Sequence, residues 1–237
     1  MTNTKGGALP IKTIKQLLLN SYEKNPTTST QDGYILDPTL STNETQVYHN
    51  PHTQKAIVVH RGTQGMNDVF TDVAYSTTGY KGKRFKQAKK IQEEAERKYG
   101  AKNISTIGHS LGTLISNEVG KNSHEIINYN KPIVPYGKKH ANEYNIKTTR
   151  DPFSFFKKGG KNTTEIKSKT LNPIHEHSIN RLDNLDDELL IGHGIKSLQV
   201  KHLKAIIKGH NKRTKSKIRY GKMKKQELIQ TVINLSL

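Results

Sequence analysis

The chain predicts an α/β layer fold with a mainly parallel central sheet, followed by a small basic helical module at the C-terminus. Three observations carry this expectation. Short strand-like runs alternate with amphipathic helical patterns between residues 45 and 130, as expected where helices cross over between parallel strands. The 237 residues suffice for one good-sized domain with room for an appendage. The charge is lopsided: of the net +19, residues 193 to 237 hold 12 Lys or Arg against the single acid Glu227, a balance of +11. We therefore place the first domain at residues 1 to 192 and the basic module at 193 to 237, with Gly192-His193-Gly194 as the linker.

The elements follow in order. Pro10 precedes Ile11, Ile14, Leu17, Leu18 and Tyr22 at three- and four-residue steps, which predicts a helix over 11 to 23. Residues 24 to 44, rich in Thr, Ser, Asn, Asp and Pro, read as loop. Gln46-Val47-Tyr48 and Lys55 to His60 read as two strands joined through Asn50-Pro51-His52. Residues 64 to 82 set Gly65, Gly79 and Gly82 around Met66, Val69 and Phe70, a composition suited to a flap. Phe85, Ala88, Ile91, Ala95 and Tyr99 mark one face of a long helix that Gly100 can end in a left-handed conformation. Lys102 to Ile107 is a strand, Leu111 to Val119 follows helical spacing up to Gly120, and Glu125 to Tyr129 is the next strand. Beyond residue 130 the pattern weakens, with one further strand expected over Thr164 to Ser168.

Composition excludes some chemistry. The chain has no Cys, so no disulfide, thiolate metal site or Cys nucleophile is available. No apolar run of membrane-spanning length and no secretory h-region is present at the N-terminus, where Ile11 to Leu19 alternates with Lys and Gln. At a mean hydropathy of −0.78 the chain is expected to be soluble, with contact at a membrane surface left open.

Chemistry concentrates at Gly108-His109-Ser110-Leu111-Gly112. The five-residue pattern is common by itself. Its place between an expected strand and an expected helix is informative, because a Ser on such a sharp turn needs small residues at both flanks. A Ser hydroxyl attacks only when an imidazole takes its proton, and that imidazole needs a carboxylate partner. Downstream, Asp151 in Arg150-Asp151-Pro152 and His177 in His175-Glu176-His177 stand in the order Ser, acid, His. His175 competes with His177 as the base, and Asp151 before Pro also reads as a turn former. Read as a strand, His175-x-His177 puts both rings on one face, but no third metal ligand lies nearby, and no metal or cofactor is expected. An oxyanion needs fixed donors. The N–H of Leu111 and the N–H or hydroxyl of Thr63 can serve, although Arg61-Gly62-Thr63 also reads as a strand-end turn.

Val58-Val59-His60-Arg61-Gly62-Thr63, then Asn67 to Asp72, then the long helix and Ile107-Gly108-His109-Ser110-Leu111-Gly112, resemble the class 3 or fungal-type lipase family of α/β-hydrolases over roughly residues 45 to 182. The resemblance implies an α/β-hydrolase fold, with Ser110 as nucleophile, Asp151 as acid, His177 as base, Thr63 and Leu111 as the oxyanion hole, and a lid within 64 to 80. The chain departs from that family in carrying Thr113 where a second glycine is common, and Val69 where the lid often has Trp. Tyr34-Ile35-Leu36-Asp37, Tyr129-Asn130-Lys131-Pro132 and Arg150-Asp151-Pro152 resemble lipase-like proteins of virophages and large DNA viruses, which implies host cytoplasm or virion as the location. The implied activity is a serine carboxylic-ester hydrolase on lipid esters. The competing expectation is a virion-associated nucleic-acid or membrane binding protein in which that fold is secondary, and a peptidase or acyltransferase on the same triad is a third.

In the basic module, Val200, Leu203, Ile206 and Ile207 outline one short helix, and Leu228, Ile229, Val232 and Leu235 another, around a Lys- and Arg-dense stretch from His210 to Lys222. The arrangement resembles SAP-like or LEM-like helix-extension-helix modules. That implies non-specific attraction to nucleic acid or to anionic lipid; a solvated tail whose helices cap the first domain is the plainer expectation. Without aromatics beyond Tyr220 in the stretch, base stacking is not supported.

Overall fold

The computed structural model describes residues 9 to 63, 82 to 133, 139 to 151, 153, 154, 162 to 185, 204, 207, 208, 211, 218 to 224, 227 and 231. The chain divides into two compact units, one of Lys12–Asn184 and one of Met1–Ile11 with Leu185–Leu237. The expected boundary at 192 and the expected lid at 64 to 80 lie outside the described residues.

The larger unit is built on a seven-stranded mixed sheet whose strands run in chain order: β1 (Ile35–Leu36), β2 (Thr45–Asn50), β3 (Lys55–His60), β4 (Ile104–His109), β5 (Glu125–Tyr129), β6 (Glu143–Thr148) and β7 (Thr163–Ile166). β1 to β3 pair antiparallel, and every pairing from β3 to β7 is parallel. The sheet is mainly parallel, as expected. In register, His60 stands beside Gly108, and His109 beside Tyr129. The ends of β3, β4 and β5 therefore meet at one edge of the sheet, beside the Ser110 turn.

Four α-helices are described: α1 (Ile11–Asn20), α2 (Lys83–Tyr99), α3 (Gly112–Val119) and α4 (Pro173–His177). Sequential strand order with right-handed crossovers puts successive helices on the same face of a sheet. Accordingly α2 and α3 pack on each other through Phe85, Ala88, Ile115 and Val119. Ala88, Ile91, Gln92 and Ala95 form the buried stripe of α2, and Ile91 and Ala95 meet Val47, Ala56, Val58 and Ile104 of the sheet. The layer between helix and sheet is partly polar: the Gln92 amide bonds Ser123 and accepts from Thr106, and Thr106 and Ser123 bond each other at 2.8 Å. Such satisfied polar contacts let a chain only 32% apolar close its core.

Several expectations shift. The first helix ends at Asn20, and tight turns from Tyr22 N–H to Leu19 and from Glu23 N–H to Asn20 replace its last predicted residues. Gly100, at φ 81°, and a 3₁₀ turn over Ala101–Asn103 consume the start of the strand expected over Lys102 to Ile107, which runs instead from Ile104 to His109 as β4. β1 lies within the stretch read as loop. β6 was not expected at all, because its buried side chains include Glu143, Lys147 and Thr148.

Of the smaller unit, Lys204, Ile207, Lys208, Asn211, Glu227 and Thr231 are helical, and Ile207 is fully buried. The Glu227 carboxylate accepts the Lys224 N–H at 2.7 Å, the reach-back half of a capping box. Val200, Leu203, Ile206, Leu228, Ile229, Val232 and Leu235 lie outside the described residues. Among the described residues, no helix is long and apolar enough to cross a membrane.

Candidate active site

Ser110 sits between the last residue of β4 and the first turn of α3 with φ at 52°. A non-glycine residue in the left-handed region costs about 1 kcal/mol or more and persists only where its surroundings over-determine it. Here they do. The Ser110 N–H donates to the Tyr129 carbonyl at 3.0 Å, and the Ser110 carbonyl accepts both the N–H and the hydroxyl of Thr113, at 3.0 and 2.6 Å. Thr113 thus closes the turn with its side chain. Both flanking glycines are sterically required: a Cβ at Gly108 would come within 2.6 Å of the Gly112 carbonyl, and one at Gly112 would strike the carbonyls of His60 and Arg61.

The backbone after Ser110 is already helical, with Leu111 at φ −54° and ψ −34°. The first N–H groups of a helix have no intrahelical partner and point along a positive dipole end, so the Leu111 N–H lies where an anion is favoured. The loop after β3 lies close by, since a Cβ on Gly62 would be 3.0 Å from that of Ser110. The bonds that hold it include Arg61 N–H to Glu44, the Arg84 guanidinium to the Arg61 carbonyl, and Gly62 N–H to the Tyr22 hydroxyl at 2.8 Å. Thr63 follows directly and is half-buried.

Asp151 and His177 are brought together. Asp151 Oδ1 and His177 Nδ1 are 2.6 Å apart, both side chains are buried, and the other carboxylate oxygen accepts the N–H and hydroxyl of Ser154. A carboxylate only accepts, so Nδ1 of His177 carries a hydrogen, and in the neutral ring Nε2 then presents a lone pair. His175, the competing base, is not paired with Asp151; its ring is half exposed and lies 3.9 Å from Glu176. The two histidines do not share a strand face as expected. They lie on α4, which Asn172 caps by accepting the N–H groups of Ile174 and His175, with Pro173 in the first turn.

A five-residue helix is marginal by itself, and the sheet edge holds α4 by its C-terminal carbonyls. Thr148 Oγ1 donates to the Glu176 carbonyl at 2.6 Å, Asn130 Nδ2 lies 3.3 Å from those of Glu176 and His177, and Tyr129 Oη donates to that of Ser178 at 2.8 Å. Glu176 anchors the other side: one carboxylate oxygen accepts the N–H groups of Lys169 and Thr170, and the other faces Arg181 at 3.4 Å. Burial pushes the Glu176 carboxyl up, but the Ser168 side chain, these backbone hydrogen bonds and the Arg181 charge hold it below the usual carboxylate range.

The His177 ring lies 5.0 Å from that of His109, the residue before Ser110, tilted by 39°, and Phe153 meets it edge-on at 4.8 Å. Ser110 Oγ and His177 Nε2 are both buried, and neither has a hydrogen-bond partner among the described residues. These are the two atoms that a proton transfer between nucleophile and base requires. Among the described residues, no group of three His, Asp or Glu is placed to hold a metal ion. Sequence reasoning passed over Tyr22, Asn130, Thr148 and Ser154, each of which bonds part of this site.

No protein-family model matches the chain, and no curated protein matches it. Among solved structures it is similar to a native Rhizomucor miehei lipase propeptide complex, at a TM-score of 0.43 and 12% identity over 69% of this chain and 68% of that one.

Proposed function

We propose that the chain is a serine carboxylic-ester hydrolase with Ser110 as nucleophile, His177 as base and Asp151 as acid. The observation that carries this reading is the buried Asp151–His177 pair, its Nε2 without a hydrogen-bond partner among the described residues, packed on His109 next to a strained Ser110 at a strand-to-helix turn. Ser110 Oγ attacks the ester carbonyl carbon while His177 Nε2 takes its proton, and Asp151 stabilises the imidazolium through Nδ1. The carbonyl oxygen becomes an oxyanion, met by the N–H of Leu111 and by Thr63. Collapse expels the alcohol with the proton from His177 and leaves Ser110 acylated. Water then attacks the acyl carbon with His177 as base, releasing the carboxylic acid and restoring Ser110.

Lipid esters are the proposed substrate class, on the resemblance of residues 45 to 182 to fungal-type lipases; the virophage-like phrases extend this to a viral enzyme. The +11 balance of residues 193 to 237 supports attachment to nucleic acid or an anionic membrane through that segment.

Fluorophosphonate labelling tests the chemistry, since the reagent traps a serine activated by a base. Wild type is expected to label, whereas Ser110→Ala and His177→Ala are not. On a chromogenic ester, Ser110→Ala should lower turnover by about 10⁴-fold or more; hydrolysis unchanged in that variant would overturn the assignment.

A further inference from the structure

Resting on that reading, we infer that Tyr22 and His109 form a positioning relay that locks the oxyanion loop and the base to the nucleophile turn. Three hydrogen bonds make the relay: Gly62 N–H to Tyr22 Oη at 2.8 Å, Tyr22 Oη with His109 Nδ1 at 2.7 Å, and His109 Nε2 with the His177 carbonyl at 3.1 Å. It starts one residue before Thr63, passes through the side chain that precedes Ser110, and ends on the backbone of the base.

The protons can be assigned without ambiguity. The His177 carbonyl only accepts, so His109 Nε2 must carry a hydrogen. Burial, reinforced by the nearby His177, holds His109 neutral with a pKa down to about 3, so Nδ1 is bare. Tyr22 must then donate to Nδ1, and its oxygen is free to accept from Gly62. Burial also raises the Tyr22 hydroxyl to about 12, which keeps that proton in place. Every donor in the chain meets an acceptor in only this arrangement.

The arrangement has a consequence for the reaction. When His177 takes the Ser110 proton it becomes a cation with the His109 ring at 5.0 Å. A charged His109 would oppose that step, and a neutral His109 with its hydrogen aimed at the His177 carbonyl does not. The same chain holds the Gly62 amide, and hence the entry to Thr63, against movement as the oxyanion forms. Neither Tyr22 nor His109 is assigned contact with substrate; both act through Thr63 and His177. Losing the relay should therefore reduce kcat more than it raises KM, by about 10- to 100-fold, the scale of a small misplacement of reacting groups.

Two experiments test the relay. Long-range ¹H–¹⁵N spectra of the full-length protein should show His109 as the neutral tautomer protonated at Nε2, whether or not the protein hydrolyses esters; protonation at Nδ1 would overturn the relay. Kinetics on p-nitrophenyl butyrate and the rate of fluorophosphonate labelling supply the second readout. Tyr22→Phe should lose kcat and labelling rate together at little changed KM, and undiminished rates would refute the relay. Should Tyr22→Phe fail to fold, His109→Gln and His109→Leu decide: the amide can accept from Tyr22 and donate to the His177 carbonyl, so Gln should retain most of kcat and Leu should not. Equal losses in the two would overturn it. A wild type that neither labels nor hydrolyses sinks the hydrolase reading instead, and the tautomer still decides the relay.

Discussion

The two halves of the site are held by different means. The nucleophile half is a product of backbone geometry: β4 is buried at all six positions, and Ser110 is fixed by hydrogen bonds to Tyr129 and Thr113 and by two glycines that tolerate no Cβ. The acid and base half stands on a turn and a five-residue helix, and side chains hold it: Thr148, Asn130 and Tyr129 on its carbonyls, Glu176 on the neighbouring loop, and Ser154 on Asp151. A sheet defines a position through many equivalent bonds, whereas a short helix depends on a few side chains. Damage to the first half should therefore remove fold and activity together, and damage to the second should be graded.

The largest effect is expected at Gly112→Ala. The added methyl would lie 2.6 Å from the Arg61 carbonyl and closer still to that of His60. Backbone must move, and the expected loss is about 4 kcal/mol or more in a denaturant melt, with Ser110 labelling lost in parallel. A variant of near wild-type stability would show that the elbow is not locked by the approach of β3. In the second half, Glu176→Gln leaves the buried Arg181 without its carboxylate, a kind of change that costs about 3 kcal/mol. The unfolding midpoint should fall and the rate should decline while labelling persists. Complete loss of labelling in a folded Glu176→Gln protein would erase the distinction between the halves.

The same contrast decides what could be read from sequence. Ser110, its flanking glycines and β3, β4 and β5 were legible because each rests on local pattern: β-branched runs, helical spacing and a turn that requires small residues. The order of Asp151 and His177 was legible too, but the choice over His175 was not, because it depends on which ring reaches a carboxylate from a different element. Asn172-Pro173 carried a helix-start signature that would have placed the two histidines on a helix instead of a strand. β6 was hidden for a physical reason. Its Glu143 is buried against Lys131 at 2.6 Å and bonded to Asn128, so strand residues that normally face solvent are paired inside. Tyr22 showed only as one apolar position of a helix, because its hydroxyl bonds join residues 40 and 87 positions away.

The smallest expected effect separates the halves by pH. His60 and His109, on the ends of β3 and β4, are both held by burial at about 3, against an ordinary value of 6.5. Between those values the unfolded chain binds a proton at each site and the folded chain does not, so stability is full above pH 6.5 and drains as pH falls towards 3. Each residue contributes a slope approaching about 1.4 kcal/mol per pH unit. Glu176 is displaced in the same direction but titrates lower: its contribution is present above the ordinary value of 4.5 and is lost only as pH falls below it, towards its lowered folded value. Glu125, which burial raises from 4.5, works against the histidines above pH 4.5, but it is common to any pair of variants that differ only at residue 109. Urea melts from pH 6.5 down to 4.5 on wild type and His109→Gln should therefore differ in slope by an amount that grows towards about 1.4 kcal/mol per pH unit at the acid end, wild type being the steeper. Equal slopes would mean that His109 takes up its proton in the fold as readily as in the unfolded chain. The neutral His109 beside a charging His177 would then be lost, and with it the separation of a sheet-borne half that titrates early from a loop-borne half that titrates late.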